Sequence, residues 1–239
     1  DVDPRKDRKL CYLISDKANK IGSSVVRATE ARLADKDYAM ILLAAGKSSR
    51  YGSNKLLEEL DGGRMFEHTL RKMRAFPLCT QAVTRFEEIE RAAEAQGMLV
   101  VENWEPDLGI SHSLRLGLQK ALEENPELKG AMFIVCDQPG LTAATFARML
   151  DIGKKYPGKI VCAGRKGKMG NPVLWDRCFF DELSRLSGDK GGKQIIGAHM
   201  DDVLLCETEE TELRDVDIPE QLTKWERDYG ESGKSGEET

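Results

Sequence analysis

Arg50 and Lys55 lie five positions apart in Leu43-Ala44-Ala45-Gly46-Lys47-Ser48-Ser49-Arg50-Tyr51-Gly52-Ser53-Asn54-Lys55, a stretch rich in Gly, Ala and Ser. Small residues let backbone amides come close to a ligand, and successive exposed amides form a concavity that holds an anion. A guanidinium forks onto phosphate oxygens, and an ammonium acts as a compact point charge. Together they suit a triphosphate that must be bent and neutralised. Two common phosphate loops do not fit. The Walker pattern G-x-x-x-x-G-K-[ST] fails because Gly46 and Gly52 are one residue too far apart and Ser53 follows. The dinucleotide pattern G-x-G-x-x-G is absent at this place.

Asp137 follows the apolar run Ala131 to Cys136 (AMFIVC) directly. A carboxylate at the end of a buried strand is costly without a partner, and a hard cation supplies one. Mg²⁺ takes oxygen ligands and is commonly held by one or two carboxylates plus substrate phosphates. Asp217 heads Asp217-Ile218-Pro219-Glu220, which also reads as a helix start with Glu220 in the capping-box position. The three histidines (His68, His112, His199) form no Ser/His/Asp pattern. His112 reads equally as a nucleotide contact and as a solvent-facing helix residue.

The elements that must position these residues follow from hydrophobic periodicity. Short apolar runs predict strands at Tyr38–Leu43, Gln81–Thr84, Met98–Val101, Ala131–Cys136, Ile160–Ala163, Val173–Trp175 and Val203–Glu207. Helical spacing predicts Met65–Phe76, Phe86–Gln96, Ser111–Glu124 with Ser111 as cap, Thr142–Lys154 with Thr142 as cap, Asp176–Leu186, Gly192–His199 and Asp217–Tyr229. Strands alternating with helices imply an α/β fold built on a mostly parallel, doubly wound sheet. The half after Gly164 is less regular. Ligands of such sheets collect at the carboxyl ends of the strands, so Ala44–Lys55, the Gly109 region and Asp137 are expected along one edge.

Residues 1–37 read as an appendage, the end of an upstream domain, with a strand at Lys9–Ser15 and a helix at Lys17–Ala34. The remainder reads as one domain over 38–229 and a polar, Gly/Ser-rich tail over 230–239.

The chain has 239 residues, with 36 Lys and Arg against 41 Asp and Glu, a net charge of −5. That balance argues against a nucleic-acid surface, which concentrates basic charge. No apolar run approaches the roughly 20 residues that span a bilayer, so no membrane partner is expected. The six cysteines include no C-x-x-C pair, and Cys136, Cys162 and Cys206 lie inside apolar runs, which reads as buried thiols in a reducing cytoplasm.

The loop resembles L-A-A-G-x-S-x-R-x-G-x-x-K of the nucleotidyltransferases with a glycosyltransferase-A-like, Rossmann-like fold, most closely the molybdenum cofactor cytidylyltransferases. The resemblance continues through Gly109-Ile110-Ser111-His112-Ser113-Leu114, Asp137-Gln138-Pro139, Gly170-Asn171-Pro172 and Asp215-Val216-Asp217-Ile218-Pro219-Glu220, covering about Tyr38 to Lys224. It implies transfer of CMP from CTP to the terminal phosphate of molybdopterin, with release of pyrophosphate. It also implies that Leu43, Ala44, Ala45, Gly46, Ser48, Arg50, Lys55, Gly109, Ser111, Ser113 and Asp137 bind the nucleotide, with Arg50, Lys55 and Asp137 catalytic. By the same resemblance Asp137 and Asp217 hold Mg²⁺, Gly170, Asn171 and Pro172 lie on the acceptor side, and a molybdoenzyme or its chaperone is the protein partner. Ala45 and Asp217 match cytidylyl members better than guanylyl ones, whereas Tyr51, Asn171 and Gly191-Gly192-Lys193 depart from the usual residues. Use of GTP, transfer to a sugar or polyol phosphate, and a nucleotide-binding regulatory module without turnover stay open as alternatives.

Overall fold

A computed structural model of the chain describes residues 37–46, 54–217 and 221. The strand and helix expected before residue 37, the body of the helix expected at Asp217–Tyr229 and the polar tail lie outside the described residues.

The first strand, β1 (Tyr38–Ala44), is an uninterrupted apolar run, the composition of a strand covered on both faces. Its side chains alternate accordingly. Met40, Leu42 and Ala44 enter one core with α1 (Met65–Met73), α2 (Glu87–Ala95) and α4 (Ala143–Lys155). Ala39 and Ile41 enter a second core with α3 (Ile110–Glu124) and α5 (Phe180–Ser184). The sheet is therefore doubly wound, as the alternation predicts. On α4, Thr142 is the cap as expected, its hydroxyl accepting from the Thr145 amide.

Seven strands form the main sheet in the order β5-β4-β1-β6-β8-β7-β9, with β4 at Cys79–Thr84, β5 at Leu99–Glu102, β6 at Gly130–Val135, β7 at Ile160–Arg165, β8 at Lys168–Asp176 and β9 at Val203–Glu207. The pairs β1/β4, β1/β6, β4/β5 and β7/β9 are parallel, and β8 runs antiparallel to β6 and β7. A small hairpin of β2 (Glu59–Leu60) and β3 (Gly63–Arg64) stands apart. The expected α/β class is present, with one reversed strand. Because β8 is reversed, its start, Gly170-Asn171-Pro172, lies at the same edge as the ends of β1 and β6. Phe133 of β6 faces Val173, and Ala163 of β7 faces Gly170.

Besides shifted element ends and the unexpected β2/β3 hairpin, three departures from the sequence expectation have local causes. The strand expected at Val173–Trp175 extends back to Lys168: Lys168, Met169 and Asn171 are exposed, so no buried apolar run marks this half, yet Lys168, Met169 and Gly170 pair with β7. The helix expected at Asp176–Leu186 is a 3₁₀ turn (Arg177–Phe179) followed by the short α5, since the Asp176 carboxylate caps the turn by accepting from the Cys178 amide. The helix expected to be capped by Ser111 begins one residue earlier, with Gly109 as its cap at φ 80°. That conformation favours glycine, and a methyl group there would also overlap Gly188 and Asp189.

Among the described residues no helix is long and apolar enough to cross a membrane. Cys136, Cys162 and Cys206 are buried free thiols, and burial pushes the acidity of each down.

Candidate nucleotide and metal site

The carboxyl edge of the sheet is where parallel strands release side chains into one crevice. Register places Ala44 of β1 beside Thr84 of β4, Thr84 beside Glu102 of β5, and Leu43 beside Val135 of β6. Lys55 returns to this edge in the 3₁₀ turn Lys55–Leu57, which Asn54 caps by accepting from the Leu56 amide. Asp137 leaves the end of β6, and Asp217 arrives from 162 residues away in sequence relative to Lys55.

The Lys55 ammonium donates to Asp137 Oδ2 and to Asp217 Oδ1, each at 2.8 Å. Its side chain is 12% exposed, against 27% and 29% for the two carboxylates, so the trio faces solvent on the acidic side. Burial alone would lower the lysine pKa. The attraction and hydrogen bonds of Asp137 and Asp217 outweigh it, and the net shift is upward. A third carboxyl, Asp215, accepts from Gln138 Nε2 at 2.8 Å. Its pKa is raised by burial first and then by the neighbouring charge of Asp137.

Two carboxylate oxygens from distant segments thus converge on one cation. Hard oxygen donors in that arrangement suit Mg²⁺, which binds through one or two carboxylates and completes its shell from water and phosphate. Among the described residues no group of three or more His, Cys, Asp and Glu side chains is arranged to hold a metal by itself. The two aspartates therefore fit an ion that arrives with substrate oxygens better than a permanently enclosed one.

Hydrogen bonds tie the rest of the edge together. Thr84 Oγ1 donates to the Ala44 carbonyl at 3.2 Å and Arg85 Nε to the Ala45 carbonyl at 3.3 Å. The Asn103 amide donates to the Thr84 carbonyl at 2.8 Å, while Asn103 Nδ2 donates to Ser113 Oγ at 2.8 Å. This chain of contacts fixes the start of α3 relative to the Ala44-Ala45-Gly46 backbone. Ser113 is buried, and Ser111 Oγ is buried with no hydrogen-bond partner among the described residues. Leu43 is half-buried, Ala44 and Ala45 are buried, and Gly46 is exposed. Ser48 and Arg50, expected in the phosphate loop, lie outside the described residues. On the acceptor side, Gly170 and Asn171 reach the surface while Pro172 is buried.

Thr84, Arg85 and Asn103 were not singled out by sequence, although each ends or directly follows a parallel strand, the position from which side chains enter such crevices. The histidines take structural partners. His112 lies within 3.7 Å of Glu105 and beside Arg115, and His199 meets Glu182 at 2.9 Å and the Phe179 ring edge-on.

Lys72 on α1 is half-buried and donates to the Pro139 carbonyl behind Asp137. Burial lowers its pKa from 10.5 to about 8, with Glu212 opposing the shift and Arg71 adding to it. The unfolded chain binds the extra proton between these values, so folding stability rises with pH through that window. Relative to Lys72→Met, the wild-type protein is expected to gain on the order of 2 kcal/mol in denaturant unfolding between pH 7 and pH 10. An equal gap at both pH values would contradict the assignment.

The profile of the MobA-like NTP transferase domain matches residues 40–203. The purine catabolism protein PucB of Bacillus subtilis (strain 168) is 25% identical over 195 residues, covering 76% of this chain and 92% of PucB. The crystal structure of Rv0371c from Mycobacterium tuberculosis H37Rv aligns with a TM-score of 0.65 at 26% identity, covering 79% of this chain and 97% of Rv0371c. A second structure of Rv0371c is a complex with manganese, at 24% identity and a TM-score of 0.63 over 80% of this chain and 98% of that one. A nucleotidyl transferase from Methanothermobacter thermautotrophicus shares the fold with a TM-score of 0.68 at 21% identity, over 82% and 98% of the two chains. The matched span takes in more than half of the chain, and the chain belongs to the MobA-like NTP transferase family of nucleotidyltransferases.

Proposed function

We propose that the protein transfers CMP from CTP to the terminal phosphate of molybdopterin, with release of pyrophosphate, in a Mg²⁺-dependent reaction. The observation that carries this reading is the convergence of Asp137 and Asp217 on the Lys55 ammonium at the carboxyl edge. Both reactants are anionic, so the main task of the protein is to offset their repulsion and align them. Asp137 and Asp217 would hold Mg²⁺, which supplies charge neutralisation for the phosphate oxygens. Lys55 contributes a fixed positive charge beside the phosphates, and Arg50 of the same loop a second. The Ala44-Ala45-Gly46 backbone, held by Thr84 and Arg85, presents amides to the nucleotide, and Ser111 and Ser113 face its base and ribose. Gly170, Asn171 and Pro172 line the acceptor side.

In the reaction an oxygen of the acceptor phosphate forms a bond to the α-phosphorus as the α–β bridging bond breaks, and its electron pair leaves with pyrophosphate. The acceptor phosphate is already ionised near neutral pH, its second pKa being about 6. No general base is then required, which agrees with the structural partners taken by the histidines. The preference for cytosine rests on Ala45 and Asp217. A molybdoenzyme or its chaperone is the natural recipient of the product.

The test is pyrophosphate release with CTP or GTP, each with and without molybdopterin. Release is expected with CTP plus molybdopterin. A larger signal with GTP would overturn the base assignment, and silence in all four mixtures with intact acceptor would overturn the enzymatic reading.

A further inference from the structure

Asp217 comes from a strap that starts in the 3₁₀ turn Glu210–Leu213 and runs on without regular structure to Asp217; its placement needs a cause, because no strand ladder holds it to β6. Contacts with the loop after β6 hold it at several levels. The Val216 amide donates to the Asp137 carbonyl at 2.8 Å, and Gln138 Nε2 to Asp215 Oδ1 at 2.8 Å. Gly140 packs so closely on the strap that a methyl group there would overlap the Thr211 carbonyl. Next comes Glu212, only 6% exposed, whose Oε2 accepts from the Thr142 amide at 3.2 Å, from Thr142 Oγ1 at 3.1 Å and from Thr145 Oγ1.

The Glu212 carboxylate thus caps α4 from a distance. The first amides of a helix lack internal acceptors and carry partial positive charge, so this terminus welcomes an anion. Shifting the strap by one residue would strip the carboxylate of three donors while leaving it buried, at the full desolvation cost of a charged group. The pairing therefore admits one register, and that register brings Asp217 beside Asp137.

We infer that Glu212 is a positioning residue: docked on Thr142 and Thr145 at the start of α4, it sets the strap that delivers Asp217 to the metal site. This rests on the reading of Asp137 and Asp217 as metal ligands. Groups that orient metal ligands are typically worth roughly 10–100-fold in metal affinity.

The experiment titrates Mn²⁺ alone into the full chain, following loss of the free-ion electron paramagnetic resonance signal. Glu212→Gln is expected to weaken Mn²⁺ about tenfold or more. In an Asp217→Asn background the same change is expected to do nothing further, because the residue acts through Asp217. Unchanged affinity in Glu212→Gln, or an equal penalty in the Asp217→Asn background, would overturn the inference. Thr145→Val, which removes one donor and keeps the charge, gives a milder variant should Glu212→Gln fold poorly. Amide exchange at Val216 reads strap placement without metal, and it is expected to quicken about tenfold in either variant. No change there would also overturn the inference. Wild-type protein that takes up no Mn²⁺ would remove the metal reading and this inference together. Uptake lost in Asp137→Asn but untouched in Glu212→Gln would remove this inference alone.

Discussion

Asp137→Asn is expected to reduce pyrophosphate release by about 10³-fold or more while the protein still melts cooperatively. The substitution keeps the volume of the side chain and removes its charge. Lys55 retains Asp217 as partner, so the ammonium is not left buried alone. The Asp137 side chain is 27% exposed, and an ion pair in that setting contributes little to folding. The stability loss should therefore stay near about 1 kcal/mol, far too little to account for lost turnover. Turnover within tenfold of wild type would show that the carboxylate has no part in holding a metal or the phosphates.

Lys55→Ala has the second largest expected effect, and its signature differs. Removal of the ammonium leaves Asp137, Asp217 and the neighbouring Asp215 without the cation that two of them share. Nucleotide affinity should fall roughly 10–100-fold and kcat about 10²-fold, the scale of one lost preorganised donor to a developing charge. Lys55→Arg should recover part of the binding, since it restores the charge without the same geometry. The pH dependence carries a sign. The folded pKa of Lys55 is raised, so the stability that its pairing contributes is fully present below the ordinary lysine value. It is lost only as the pH climbs through the raised folded value. The stability gap between wild type and Lys55→Ala should thus be flat from about pH 6 to 9. Lys72→Met behaves oppositely, because burial depresses the Lys72 pKa and the gap grows with pH. A nucleotide titration unchanged by Lys55→Ala would take this residue out of the mechanism.

The parallel core was readable because its physics is local. β1, β6 and β7 are apolar runs buried on both faces, and the helices between them show their spacing plainly. Sequence shows only the second half of β8, because that half alone is a buried apolar run, whereas Lys168-Met169-Gly170-Asn171 pairs without being buried. The β2/β3 hairpin, two residues per strand, is shorter than any periodic signal. Gly109 against Ser111 as helix cap turned on a backbone angle that residue type alone does not dictate.

At the site, Lys55 and Asp137 announce themselves by chemistry, one a cation in a small-residue loop and the other a carboxylate ending a buried strand. Asp217 did not, since its sequence also makes a good helix start, and only family resemblance pointed to it. Glu212 was invisible for a related reason. Its donors are 67 and 70 residues away, and no period or spacing encodes a pairing at that range. Long-range polar stitches of this kind become readable only once the strands have brought the loops together.

In the proposed mechanism two aspartates and one lysine grip a metal-chelated nucleoside triphosphate. Its most direct test is an anomalous difference map from crystals soaked with Mn²⁺ and CTP. A metal peak in direct contact with both the Asp137 and Asp217 carboxylates is expected, with the CTP phosphates beside Lys55. A peak that touches neither aspartate, or CTP bound with its phosphates away from Lys55, would contradict it.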